Sequence, residues 1–169
     1  YKRQVEMLLE GKSIESITGS AQDILAAGKK RAADEKKLIF LHIGAAWCGP
    51  CKLLEDWMAQ PEIHEMFQKT FVDVRIDIDH NFGAKELLST YGPKAGEIPW
   101  FGILNATDDK PIATCEDKDG NVGIPDTPEG YDHFTKMFEA TGKFSKEQLD
   151  LIRRSISTAV EKYKSDSSK

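Results

Sequence analysis

The chain has 169 residues, 40% hydrophobic and 30% charged, with a net charge of −5. That length makes one domain with a sizeable core. The acidic balance argues against a nucleic-acid partner, and no apolar run approaches the ~20 residues of a membrane span.

Residues 1–20 form an N-terminal extension, with a weak helical pattern at Val5, Leu8 and Leu9 that ends at Gly11, then a strand-like alternation over 13–17. The main domain is expected over 21–163. Ala21, Ile24, Leu25, Gly28 and Ala32 share one helical face, and the charges between them read as its solvated side. Leu38–Ile43 is apolar throughout, as a central strand covered on both faces should be. Leu53, Leu54, Trp57 and Met58 continue a helix that breaks or kinks at Pro61, before Ile63, Met66 and Phe67 resume it.

Phe71–Asp79 alternates as a strand, and Phe82–Tyr91 reads as a helix ended by Gly92. Pro99–Leu104 and Pro111–Thr114 form a hairpin around a polar turn. Within that turn Asn105-Ala106-Thr107 matches a glycosylation triplet that reads better as a plain turn. Asp117-Lys118-Asp119-Gly120-Asn121 hints at a calcium loop, but the glycine is two positions early and no glutamate closes it, so this too is a turn. Thr127-Pro128 opens a helix, and Ser145-Lys146-Glu147-Gln148 is a capping box for the last one, lined by Leu149, Ile152, Ile156, Val160 and Tyr163. Residues 164–169 form a polar, fraying tail. The fold class is α/β: a central mixed sheet flanked by helices in three layers, with extra C-terminal helices.

Between the apolar strand and the next helix stands Trp47-Cys48-Gly49-Pro50-Cys51. Two cysteines at C-x-x-C spacing in that setting are a redox pair. The helix N-terminus favours negative charge on Cys48, which lowers a thiol pKa from ~8.5 towards roughly 3.5–7.5 and makes a nucleophile. The alternatives are a structural disulfide or half a zinc site. A closed zinc site needs four ligands, the chain has no second C-x-x-C, and His42, His64 and His80 would have to be gathered by the fold. Cys115 is left over, and reads as a small buried residue.

Trp47-Cys48-Gly49-Pro50-Cys51-Lys52 resembles the thioredoxin signature letter for letter, and Ile98-Pro99 resembles the cis-proline element of thioredoxin-like proteins. The likeness runs roughly from Ala21 to Cys115. It implies a thioredoxin-like three-layer fold and a thiol–disulfide oxidoreductase acting on protein disulfides or thiols without a bound cofactor or metal, re-reduced by an unidentified redox partner. Cys48 is then the nucleophile and Cys51 the resolving thiol, with Cys48 nearer solvent and Cys51 more buried. Trp47, Gly49 and Pro50 support the loop. Pro99 faces the disulfide, and Ile98, Pro99 and Trp100 are the substrate-binding residues, the large Trp100 ring reading as a substrate contact or simply as core. Ile98, Trp47, Pro50 and Trp100 could together make an apolar docking surface. Gly49-Pro50 leans towards a reductase.

His42 stands where thioredoxins carry a buried aspartate. A neutral imidazole could relay a proton, a charged one would make the disulfide more oxidising, and a core histidine with no catalytic part fits the sequence equally well. Arg75 falls near a family lysine and reads as a strand-edge charge. A rival to catalysis is a substrate-binding or chaperone-like module, suggested by the extra helices and the N-terminal segment. The chain opens at Tyr1, and its decorated form resembles exported bacterial members, so an extracytoplasmic location is expected.

Overall fold

The computed structural model describes residues 19–92 and 97–167. The helical and strand-like patterns read over residues 1–17 lie outside them. Gly19–Ser20 (β1) leads into the helix Ala21–Glu35 (α1), whose first turn is capped by the Ser20 hydroxyl accepting the Asp23 N–H. Leu38–Gly44 (β2) follows, then two helices, Gly49–Met58 (α2) and Pro61–Thr70 (α3). The break expected at Pro61 is complete: Gln60 is extended, and the proline sits in the first turn of its own helix, where its missing N–H costs little. Phe71–Asp77 (β3) runs parallel to β2, so β2–α2–α3–β3 is a crossover unit.

Asn81–Phe82 (β4) pairs with β1 instead of opening a helix. Gly83 takes a left-handed φ of 76°, which turns the chain before the helix Ala84–Tyr91 (α4) and leaves Phe82 outside at 84% exposure. Trp100–Leu104 (β5) and Pro111–Thr114 (β6) form the expected hairpin, and the main sheet has the order β3-β2-β5-β6. The stretch with the calcium-like spacing is a second small hairpin, Glu116–Asp117 (β7) and Gly120–Asn121 (β8). Its turn is tied by the Asp117 carboxylate, which accepts the Asp119 and Gly120 N–H groups at 2.8 and 3.1 Å.

Two helices close the chain, Pro128–Glu139 (α5) and Lys146–Ser167 (α6). The capping box forms at both ends: Ser145 Oγ accepts the Gln148 N–H, and Gln148 Oε1 accepts the Ser145 N–H at 2.8 Å. The last helix continues past the expected fray at Lys164, where Lys164 reaches Asp126 at 3.2 Å.

The six helices among the described residues form the two outer layers. On one side α1 lies on β2 and β3 with α4 beside it, and Gly28 of α1 comes so near Val74 that a Cβ there would overlap it. The other side is held by rings. Phe40 of β2 contacts Phe67 and Phe138, and Trp57 of α2 contacts Phe67 and Phe134 edge-on. Trp57 is fully buried and its indole N–H donates to Ser155 Oγ of α6 at 2.8 Å, which fastens the helix after the cysteines to the last helix.

Candidate active site

β2, an inner strand, ends at Gly44, and α2 starts at Gly49 with Cys48 as its N-cap. The two sulfurs are joined in a disulfide, with Cα atoms 5.2 Å apart. Cys48 Sγ also accepts the Cys51 N–H at 3.2 Å, so it occupies the place of a capping oxygen at the positive end of α2. Reduction would leave Cys48 Sγ facing that N–H, which stabilises a thiolate there rather than at Cys51.

The expected difference in burial is not found: both cysteines are 5% exposed. Ala45 packs in the same small cluster, and Ile78 and Ile98 close over it. The two sulfurs therefore differ by their place on the helix, not by access.

Ile98 comes from the loop before β5, and the Ile98–Pro99 peptide is cis. Ile98 is half-buried against the disulfide and Pro99 is buried. Trp100 is not a substrate contact. It is 1% exposed and packs beside Tyr91, because the first residue of β5 turns its ring into the core. The docking surface thus loses one member. Trp47 keeps its place at 70% exposure, its indole N–H donating to Asp79 at 2.7 Å.

Gly44 and Gly49 are small for steric reasons. A Cβ at Gly44 would stand 2.9 Å from Cys51 Sγ. A Cβ at Gly49 would overlap the hydroxyl of Tyr163, which reaches the redox loop from the far end of α6.

His42 is two residues before Gly44 on the same face of β2, roughly 6.6 Å along the strand from the glycine that makes room for Cys51. It is 5% exposed and pairs in register with Arg75. Its Nε2 lies 2.9 Å from Asp73 Oδ1, but the approach is too poorly aligned for a hydrogen bond. Arg75 pairs at 3.0 Å with Glu55, one helical turn beyond Cys51. Its charge therefore has a partner on α2 and is more than a strand-edge cation. His42 is thus buried while the Asp73 carboxylate beside it is exposed to solvent.

His64 is exposed on α3, and His80 is exposed beside Asp77, which its Nδ1 meets at 3.0 Å. Among the described residues no group of three or more His, Cys, Asp or Glu side chains is gathered around a point where a metal could sit. No described helix is long and apolar enough to cross a membrane.

The sequence reading missed Ile78, Asp79 and Tyr163. Ile78 sat in an alternating stretch without a sign that it would close on the sulfurs. Tyr163 was legible as a position on the last helix, but not as a neighbour of Gly49.

A family model described as thioredoxin-like matches residues 20–106, just over half the chain. Among solved structures the chain is similar to a disulphide isomerase from Xylella fastidiosa Temecula1, 28% identical over 69% of this chain and 87% of that one, with a TM-score of 0.48. It is also similar to the germline-specific thioredoxin Deadhead from Drosophila melanogaster, 28% identical over 60% and 84%, TM-score 0.42. A thioredoxin from Fasciola hepatica is 22% identical over 60% and 84%, TM-score 0.40. No curated protein sequence matches.

Proposed function

The chain belongs to the thioredoxin-like family and is a thiol–disulfide oxidoreductase with a C-x-x-C pair, and on that footing we propose that it reduces protein disulfides, with Cys48 attacking and Cys51 resolving. The observation that carries the assignment of roles is the Cys51 N–H donated to Cys48 Sγ at the start of α2.

In the first step the Cys48 thiolate attacks one sulfur of the substrate disulfide. A Cys48–substrate bond forms, the substrate S–S bond breaks, and the other substrate sulfur leaves as a thiolate that takes up a proton. In the second step the Cys51 thiol gives up its proton and attacks Cys48 Sγ. The mixed disulfide breaks, the second substrate sulfur leaves and is protonated, and the Cys48–Cys51 disulfide remains. Two electrons have passed to the substrate, and a dithiol donor must return them.

Trp47, Gly49 and Pro50 shape the loop, while Ile98 and Pro99 supply the surface against which an extended segment lies. Ile78 and Ile98 pack against the sulfurs and the exposed Trp47 ring stands beside them, an apolar rim that suits a flexible polypeptide disulfide better than a compact small molecule. Resemblance of Gly49-Pro50 to reducing members supports the direction. His42 we assign to the second step, as the group that takes the Cys51 proton towards Asp73 and solvent.

The test is threefold. Cys48→Ser should abolish dithiothreitol-driven reduction of insulin, and undiminished turnover in that variant would sink the assignment. The Cys48–Cys51 couple should equilibrate near the reducing end, roughly −270 mV, in a redox buffer. His42→Leu should slow release of the substrate from the mixed disulfide while leaving the alkylation rate of Cys48 within twofold. The second reading, an oxidant or isomerase, is favoured by an imidazole standing where the family has a carboxylate. It predicts a potential towards roughly −120 mV.

A further inference from the structure

Glu97, Ile98 and Pro99 come before the main-sheet ladder of β5 begins. Pro99 has no N–H to give, and the regular ladder begins only at Trp100. The hairpin β7–β8 supports them through one side chain. Asn121 donates from Nδ2 to the carbonyl oxygens of Glu97 and Pro99, at 3.1 and 3.2 Å. Its Oδ1 accepts the Gly123 N–H at 2.8 Å and the Cys115 thiol at 3.2 Å. A carboxamide has two N–H donors and two lone pairs, so all four places are filled.

The two carbonyls it holds stand on either side of Ile98, the residue that packs against the disulfide. The other end of the network is equally fixed. Cys115 Sγ accepts the Phe101 N–H at 3.2 Å, and Cys115 is 1% exposed. Gly123, with φ 57°, brings its backbone alongside the Pro99 ring, the nearest atoms 3.7–3.9 Å from where a Cβ would be. Asn121 is therefore the junction between an immobile point of the sheet and the segment that faces the sulfurs.

We propose that Asn121 is a positioning residue for substrate: by holding the Glu97 and Pro99 carbonyls it fixes the backbone of Ile98, against which an extended polypeptide disulfide docks. This rests on the oxidoreductase reading given above and deepens it, by naming a residue outside the redox loop that sets its preference for extended peptide segments over small disulfides. It also gives the third cysteine a part, as a hydrogen-bonding thiol behind the docking segment with no redox step of its own.

The experiment uses the reduced full chain in single-turnover reactions with two probes. One is a fluorescent hexapeptide dimer joined by a disulfide. The other is 5,5′-dithiobis(2-nitrobenzoate), which needs no docked strand. Asn121→Asp keeps the shape and the acceptor but turns a carboxylate oxygen on two carbonyls. The expected result is a roughly tenfold loss of efficiency with the peptide, about 1.4 kcal/mol, carried by the half-saturation concentration and not the limiting rate. The small disulfide should react within twofold of the wild type, and the Cys48–Cys51 potential should not move.

Equal losses with both probes, or no loss with the peptide, would overturn the proposal. If Asn121→Asp does not fold by circular dichroism, Asn121→Ala, which adds no charge at this half-buried position, must show the same split or the proposal falls. A wild type inert towards both probes would overturn the oxidoreductase reading itself; an active wild type with an indifferent Asn121 variant overturns only this one.

Discussion

The fate of Cys115 at alkaline pH tests the interior of the site through a single proton. Burial raises its thiol from an ordinary value near 9 to about 12, against the Phe101 N–H, which lowers it, and with the Glu116 carboxylate, which raises it further. The folded chain thus holds this proton when the unfolded chain has lost it. A pKa raised on folding contributes stability that is intact below the unfolded value and lost as pH climbs towards the folded one. The full span is about 3 pH units, on the order of 4 kcal/mol by pH 12. Between pH 7.5 and 10 the loss should be about 1.4 kcal/mol, since one unit of titration in the unfolded chain is then complete.

The measurement is urea unfolding at pH 7.5, 9 and 10. It is made in a Cys48→Ser/Cys51→Ser background, so that no thiolate exchanges with a disulfide. Cys115→Ala is the comparison, because the other titrating groups, Tyr91 and Tyr131 among them, cancel in the difference. Cys115→Ala should be less stable at pH 7.5, by about 1–2 kcal/mol for a lost hydrogen bond and a small cavity, and the gap should close by pH 10. Parallel curves from pH 7.5 to 10 would refute the reasoning, and so would rapid labelling of native Cys115 by iodoacetamide at neutral pH.

Gly44→Ala drives a Cβ to 2.9 Å from Cys51 Sγ and 3.1 Å from its Cβ, both on a helix that the Trp57–Ser155 bond holds down. It should cost about 1–3 kcal/mol in urea unfolding of the oxidised form, as overpacking does. Gly49→Ala should cost less, because the atom in its way is the end of one side chain. Its cost should fall by at least half in a Tyr163→Ala background, a coupling read from a double-mutant cycle of melting temperatures. Removing the cap with Ser145→Ala should lower stability by about 1 kcal/mol without changing disulfide exchange.

Much of this molecule was legible in its sequence because the signals were local. The C-x-x-C spacing, the Pro61 break, the Thr127 and Ser145 caps and the apolar run of β2 each fix structure within a few residues, and each stands where expected. The misses needed information from elsewhere in the chain. The start of α4 was misplaced because the helical stretch was taken to open at Phe82, whereas Gly83 turns the chain first and leaves the Phe82 ring in water. Trp100 stayed open between substrate contact and core because a ring beside a docking residue can point to either face of the strand, and pleat phase is set by pairing with β2. Burial of Cys48 failed because Ile78 and Ile98, 30 and 50 positions further along the chain, close over it.

The same distinction changes what the C-terminal part of the chain is for. Read as sequence, the stretch after Cys115 is a polar turn and the two last helices elaborate the C-terminal part of the domain. In the fold they bear on the redox loop from two directions. The hairpin grips the docking segment through Asn121, while α6 sets the Tyr163 hydroxyl against Gly49 and holds α2 by Ser155. Lys164 meets Asp126, at the end of the segment that begins with that hairpin, so the two supports are themselves joined. A loop whose sulfurs must alternate between bonded and free needs walls that do not move with them. Here those walls include the β7–β8 hairpin and α6, so substitutions in residues 115–167 should alter substrate handling while Cys48 and Cys51 remain untouched.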